Sequence, residues 1–268
     1  MKFSKLAFSA TLCLCTGIAS AFSTIGTKWA PTGPNSATLL AGHEGTPGVV
    51  SWSIMGVGKS SVVASDSHEM GLSTPFSALL GDPMSMVEEK AAIMAALGTW
   101  SAVTNLTFIE MVDGGGPAGG LETTMAHKGD IRFGAWMEFP STVLGHAFGP
   151  GTEAMFGPGG TIRGDVHMNA SKAWVSDPHD PDDGGPYDLQ TVLTHEIGHA
   201  LGLGHSTVTG ALMDEEYVGG HRFLAEDDIL GIQHIYGMPV PEPASFAVFG
   251  LGLAAIARRR RSKRILVS

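Results

Sequence analysis

The twelve residues HEIGHALGLGHS, at positions 195–206, constrain this chain more than any other stretch. On a helix, the four-residue spacing puts His195 and His199 on one face, a turn apart. Glu196 then lies about 100° round from His195 and about 60° from His199, because each residue turns the helix about 100°. Two imidazole nitrogens so placed can grip one metal ion, with a carboxylate flanking it. A third donor farther along the same helix would face away, so the helix has to stop. Gly202 is where a left-handed turn is cheap, and it lets the backbone double back to present His205. Three neutral histidines leave one corner of a tetrahedral zinc ion open, which is the arrangement of a catalytic site rather than a structural one. H-E-x-x-H alone recurs by chance in unrelated helices. The longer H-E-x-x-H-x-x-G-x-x-H is far more specific, since each added position has its own geometric reason.

The surrounding pattern predicts the frame for that helix. Asp188 is placed to cap a helix starting at Leu189, with Leu189, Val192, Leu193, Ile197, Ala200 and Leu201 as its apolar stripe. A second helix is expected in 85–104, where Ser85 and Glu88 fit a capping box and Ile93, Leu97, Trp100 and Val103 recur at helical spacing. Strands are expected at Val49–Met55, Leu106–Val112, Asp130–Met137 and Thr161–Asn169. Residues 22–48 read as turn-rich with an isolated Trp29, the polar stretch up to Pro83 as mostly loop, and Asp113–Gly120 as a plain flexible connection. The order strand, helix, several strands, helix, helix implies an α+β fold with a mixed twisted sheet, in a single domain over 22–237.

Both ends read as addresses. Residues 1–21 have a basic start, an apolar stretch from Leu6 to about Ile18, and Ala19 and Ala21 in an A-x-A arrangement, which reads as a secretory signal peptide. Cys13 and Cys15, the two cysteines, lie inside it, so disulfides are expected to contribute nothing after export. At the other end, Pro241, Glu242 and Pro243 precede an apolar run, Ala244–Ala257, and a basic cluster. That run is shorter than the roughly 20 residues a stable spanning helix needs, so the tail implies only a transient inner-membrane association, its arginines on the cytoplasmic side. Segment 238–268 resembles the PEP-CTERM sorting signals of Gram-negative bacteria. The resemblance implies processing by an exosortase-type enzyme and delivery to the cell surface or the extracellular matrix. Charge agrees with export of the body: the chain is formally −10, eight of its 16 basic residues sit in the two ends, and 25 of its 26 acidic residues lie between. That sign disfavours nucleic acid and anionic lipid as partners.

The metal-motif region resembles a metzincin, and more narrowly a matrixin, the family of the matrix metalloproteases. Ser206 directly after the third histidine is the matrixin variant. Met213 in ALMD matches the methionine turn beneath the metal, and AEDDILGIQHIYG (225–237) resembles the last helix. VEEKAAIMAALGTWSAVTNLTF resembles the first helix and its strand, and LGHAFGPG the loop before the metal helix. The resemblance implies a second, structural zinc held by a His-x-Asp pair and two later histidines. His146 and His167 match the later two, but AWMEFPST contains no His-x-Asp, so this second centre is expected to be incomplete. Where the family has carboxylates for calcium, this chain has Asn169 and Lys172, and Asp177, Asp180, Asp182 and Asp183 read as a solvated acidic loop. The thiol latch of many matrixins has no cysteine to build it. Tyr217 matches the wall of the substrate pocket, with Asp214, Glu215 and Glu216 adding negative charge nearby.

The function this implies is a secreted, monomeric zinc endopeptidase acting on proteins or peptides. His195, His199 and His205 hold one zinc ion, and Glu196 serves as general base to the activated water before passing the proton to the departing amine. Two readings compete with it. One is a surface or matrix-associated binding protein with a vestigial metal site, against which the intact Glu196 argues. The other is a structural module that zinc merely stabilises, which would unfold on chelation.

Overall fold

The computed structural model describes residues 21–31, 36–61, 69–81, 86–119, 129–140, 142–151, 162–176 and 186–240. The segment before Ala21, the acidic stretch Asp177–Asp183 and the residues beyond Val240 lie outside them, as does Ser85.

A mixed sheet organises the chain. Its strands β3 (Gly48–Ile54), β5 (Leu106–Glu110), β6 (Ile131–Glu138), β7 (Gly145–Ala147) and β8 (Val166–Asn169) lie in the order β5-β3-β6-β8-β7. All of these pairings are parallel except β7 with β8. Parallel strands in the middle of a sheet are covered on both faces and so read as nearly unbroken apolar runs. β6 obeys this, with six successive buried residues from Ile131 to Trp136. One of the six is Arg132, and its guanidinium is fully buried.

That arginine changes the reading of the glycine-rich loop. Arg132 Nε and Nη2 donate to the two carboxylate oxygens of Asp113 at 2.7 and 3.1 Å, and Nη2 and Nη1 donate to the carbonyls of Gly116 and Pro117. The loop is therefore pinned rather than a free connection, because a buried guanidinium must have its donors satisfied. The stretch before Pro83 also departs from the expected loop. It holds β4 (Met70–Thr74) and a short 3-10 turn (Phe76–Ala78), with β4 antiparallel to the far half of β6.

Helix α1 (Val87–Ser101) and helix α2 (Leu189–Leu201) pack together with the sheet into one core. α1 starts after Met86, whose side chain makes no cap; Ser85 of the expected capping box lies outside the described residues, and the first-turn acids Glu88 and Glu89 complement the helix dipole. Its Ile93, Ala96, Leu97 and Trp100 are buried with Leu193, Ile197 and Ala200 of α2. Each large side chain so buried stabilises by roughly 1.5–3 kcal/mol. The Trp100 indole also donates to the carbonyl of Thr194 at 2.9 Å, fixing the height of α2 against α1.

The turn-rich N-terminal stretch forms a small antiparallel pair, β1 (Thr27–Trp29) and β2 (Ala37–Leu39). It is anchored by residues that sequence spacing left isolated. Trp29 is buried, and its indole donates to the carbonyl of Ala200 at 2.8 Å. Lys28 is buried too, and its ammonium donates to the carbonyl of Ile235 at 2.8 Å, near the end of helix α3 (Glu226–Tyr236). The same ammonium reaches Thr46. Burial pulls the Lys28 amine down to about 8. The Tyr236 hydroxyl accepts from the Trp29 amide and donates to the carbonyl of Leu201. The first strand is thereby joined to the last two helices.

Two very short strands, β9 (Trp174–Val175) and β10 (Tyr187–Asp188), lead into α2. Asp188 caps α2 as the sequence predicts, accepting from the Thr191 amide at 3.0 Å. Its carboxylate also pairs with Arg222. Burial alone would push the Asp188 carboxyl up, but Arg222 and Thr191 outweigh it and hold the group below its ordinary value. A depressed carboxyl gives stability that is full above its unfolded value and lost as pH falls through the lower folded value. Asp188→Asn is expected to cost about 2 kcal/mol near neutral pH, through a lost charged cap and pair. It should also flatten the acid limb of the stability curve below about pH 4, and urea melts at pH 7 and pH 3 check both effects.

Candidate metal centre and its cleft

α2 carries His195 and His199 one turn apart, and their Nε2 atoms lie 3.1 Å from each other. Each ring is held from behind. Nδ1 of His195 sits 2.7 Å from the carbonyl oxygen of Leu212, and Nδ1 of His199 sits 2.9 Å from that of Leu203. A carbonyl can only accept, so both Nδ1 atoms carry the proton and both Nε2 lone pairs point into the shared space.

The helix ends where the sequence requires. Gly202 has φ of 111°, in the left-handed region, and its amide donates back to the last turn. A Cβ there would stand 2.5 Å from the carbonyl oxygen of Thr27 in β1, so the residue is tied to glycine by strain and by space. The reversal delivers His205, whose ring centroid is 4.7 Å from His199 and 5.4 Å from His195. One nitrogen from each of the three rings falls in a single group whose atoms all lie within 4.8 Å of one another. Burial draws the His195 imidazole down to about 4 and that of His199 to about 3, their neighbouring rings adding to the effect. Unprotonated nitrogens with oriented lone pairs are the donor set that zinc takes, so these residues fit that ion.

Met213 packs against the metal helix. It is buried, and a Cβ on Gly198 of α2 would come 2.3 Å from its sulfur, so helix and methionine are in close contact through that glycine. The turn bearing Met213 is held by Asp228 at the start of α3, which accepts from the amides of Leu212 and Met213 at 2.8 and 3.1 Å. Asp228 thus indirectly sets the carbonyl that orients His195.

Glu196 is buried at the wall of the cleft, with one carboxylate oxygen lacking a hydrogen bond among the described residues. Burial pushes its carboxyl up to about 8. The cleft above it has a volume of about 690 Å³. Strand β7, Tyr187, Thr191, Val192 and the segment Asp214–Tyr217 are among the residues that line it. Tyr217 stacks edge-on to Tyr187 and its hydroxyl accepts from the Asp188 amide, as befits a wall. Asp214 spends its carboxylate on the amides of Gly210 and Glu216.

His146 and His167 also come together. They face each other across the β7–β8 pair, with His146 Nε2 3.1 Å from His167 Nδ1. The third partner is Glu69, whose two oxygens lie 2.6 Å from His146 Nε2 and 2.7 Å from His167 Nδ1. Sequence reasoning missed it, because Glu69 stands just before β4 in a stretch read as loop. The place where the resemblance expects the His-x-Asp is the loop after β6, far along the chain from Glu69. The two imidazoles outweigh the effect of burial and hold the Glu69 carboxyl well below the ordinary range. Asn169, in place of a calcium carboxylate, is buried and donates its side-chain amide to the carbonyl of Val143.

Comparison with known proteins agrees with this geometry. A family model described as Matrixin matches residues 76–237, and a PEP-CTERM protein-sorting motif matches residues 239–261. Interstitial collagenase of Oryctolagus cuniculus is 38% identical over 155 residues, 58% of this chain and 29% of the relative. Stromelysin-3 of Homo sapiens is 35% identical over 170 residues, 62% of this chain and 31% of the relative. Matrix metalloproteinase-27 of Homo sapiens is 38% identical over 156 residues, 57% of this chain and 27% of the relative. The chain thus spans under a third of the length of these curated relatives. With the family match covering both helices of the core, the metal motif and the methionine turn, the chain belongs to the matrixin family.

Proposed function

We propose that the chain is a zinc-dependent endopeptidase, exported and sorted to the surface or surroundings of a Gram-negative bacterium. The body is residues 22–237, residues 1–21 are a signal removed on export, and 238–268 are a tail for an exosortase-type enzyme. The observation that carries the reading is the set of oriented histidines at the floor of an open cleft, with Glu196 beside them. Family membership and the sorting-motif match add to it. The named relatives include a collagenase, and proteins are the substrate class proposed here.

His195, His199 and His205 hold the ion, each through the nitrogen turned toward the shared space. Zinc bound there supplies Lewis acidity, activating a water and polarising the scissile carbonyl. Glu196 holds the proton taken from the attacking water and gives it to the departing amine. Met213 packs against the metal helix and reacts with nothing. Strand β7, in the cleft lining, offers an edge along which an extended peptide can lie. Glu215 and Glu216 give the cleft lining a negative charge, which favours a basic residue just after the cut.

Glu196→Ala should abolish peptide hydrolysis, at least 100-fold by loss of general base catalysis, while zinc at the three histidines is retained. Turnover of a quenched peptide and zinc content per chain check this together, and full turnover would remove the assigned base. A second measurement concerns specificity. Peptides from a proteome-derived library, identified by mass spectrometry after digestion, should be enriched in Lys or Arg after the cut, and equal use of acidic residues there would end that assignment. Chelation should silence the enzyme without unfolding it; cooperative unfolding on chelation would instead favour a structural role for the zinc.

A further inference from the structure

We infer that Glu69 is a ligand of a second divalent metal ion, held together with His146 and His167 at the β7 edge of the sheet. The loop after β6 carries no His-x-Asp, and the chain supplies the third donor from the segment between β3 and α1 instead. The pairing of β4 with β6 makes this reachable. Met70 stands opposite Glu138, so the residue before it arrives beside the cross-strand pair of His146 and His167.

Four donor atoms converge: one oxygen of Glu69 lies 2.6 Å from His146 Nε2, the other 2.7 Å from His167 Nδ1, and the two nitrogens are 3.1 Å apart. Zinc bonds to nitrogen or carboxylate oxygen of about 2.0–2.1 Å place neighbouring tetrahedral ligands about 3.3 Å apart. The edge between the two histidines equals the 3.1 Å edge between His195 and His199. The directions also suit an ion. Although ring nitrogens are this close, neither oxygen of Glu69 makes a hydrogen bond among the described residues. Oxygens and ring nitrogens this close and without an aligned hydrogen bond have lone pairs that a cation can take.

Burial makes the case sharper. The side chains of Glu69 and His167 have no exposure, and that of His146 has 19%. A buried carboxylate costs several kcal/mol unless an opposite charge compensates it, and a divalent ion supplies that charge at the point where the oxygens already face. The surroundings are those of a metal shell. The Asp165 carboxylate stands 3.9 Å from the far nitrogen of His167, an acidic group behind the ring. Trp136, Phe139 and Phe148 pack round the two imidazoles with centroids 4.4–5.7 Å away. Two imidazoles in the donor set select zinc over calcium or magnesium.

This inference does not rest on the hydrolytic reading, and one set of measurements separates the two. Zinc per folded chain is counted by elemental mass spectrometry on the full chain after zinc loading and desalting, with folding checked by near-ultraviolet circular dichroism. The expected counts are two for the unaltered chain, one for Glu69→Gln and one for His199→Ala. A single equivalent in the unaltered chain that disappears in His199→Ala overturns the inference and leaves Glu69 a counter-charge to histidine. Retention of both equivalents by Glu69→Gln overturns it as well. If Glu69→Gln does not fold, His146→Gln takes its place with the same expected count. Loss of one equivalent in Glu69→Gln together with no loss in His199→Ala would uphold this second centre while sinking the proposed catalytic one. Cobalt loading gives an independent readout. The visible absorption of Glu69→Gln should lose the contribution of one four- or five-coordinate ion, and an unchanged spectrum counts against Glu69 as a ligand.

Discussion

The bonds from His195 and His199 to the backbone carbonyls of Leu212 and Leu203 set the chemistry of the cleft. They decide which nitrogen of each ring keeps its proton, and so where the lone pairs point. Both acceptors belong to chain that follows the helix, so the rings are oriented only after the backbone has turned back on itself. That makes the stop at Gly202 a condition of the site and not merely the end of a helix. The same reversal is held from the other side by Asp228, which fixes the turn containing Leu212 and Met213.

The frame serves this arrangement layer by layer. α1 sets the height of α2 through Trp100, and β1 fills the space that a side chain at Gly202 would need. Asp188 both caps α2 and, through Arg222, ties its start to the chain that follows the methionine turn. The helix is short, and each of its ends is specified by a contact from a different part of the chain. Precision at the histidines therefore comes from neighbours rather than from helix propensity.

What could be read in the sequence follows from this. The metal helix, its cap at Asp188, its exit at Gly202 and the third histidine were legible because local spacing dictates them. The central strands were legible to within a few residues, since buried parallel strands leave an apolar run. Three features were not. Trp29 and Lys28 stood alone in a turn-rich stretch, and nothing local says that their partners lie near residues 200 and 235. Arg132 inside an apolar strand gave no sign that it pins the loop of Asp113–Pro117. Glu69 is the clearest case. A carboxylate in a polar stretch looks like solvated surface until strand pairing carries it to two histidines that are near neither it nor each other in sequence.

The anchoring of β1 has a bearing on how the chain matures. Lys28 reaches the carbonyl of Ile235 across 207 positions, and the Trp29 amide reaches the Tyr236 hydroxyl across the same span. Contacts that distant form late, because a long loop must close before they repay its entropy. A ribosome delivers the first strand long before the helix that secures it, so the emerging polypeptide lacks its closing contacts until residue 236 is in place. Packing that waits on the last helix leaves the polypeptide without its closing contacts over nearly the whole length of its synthesis.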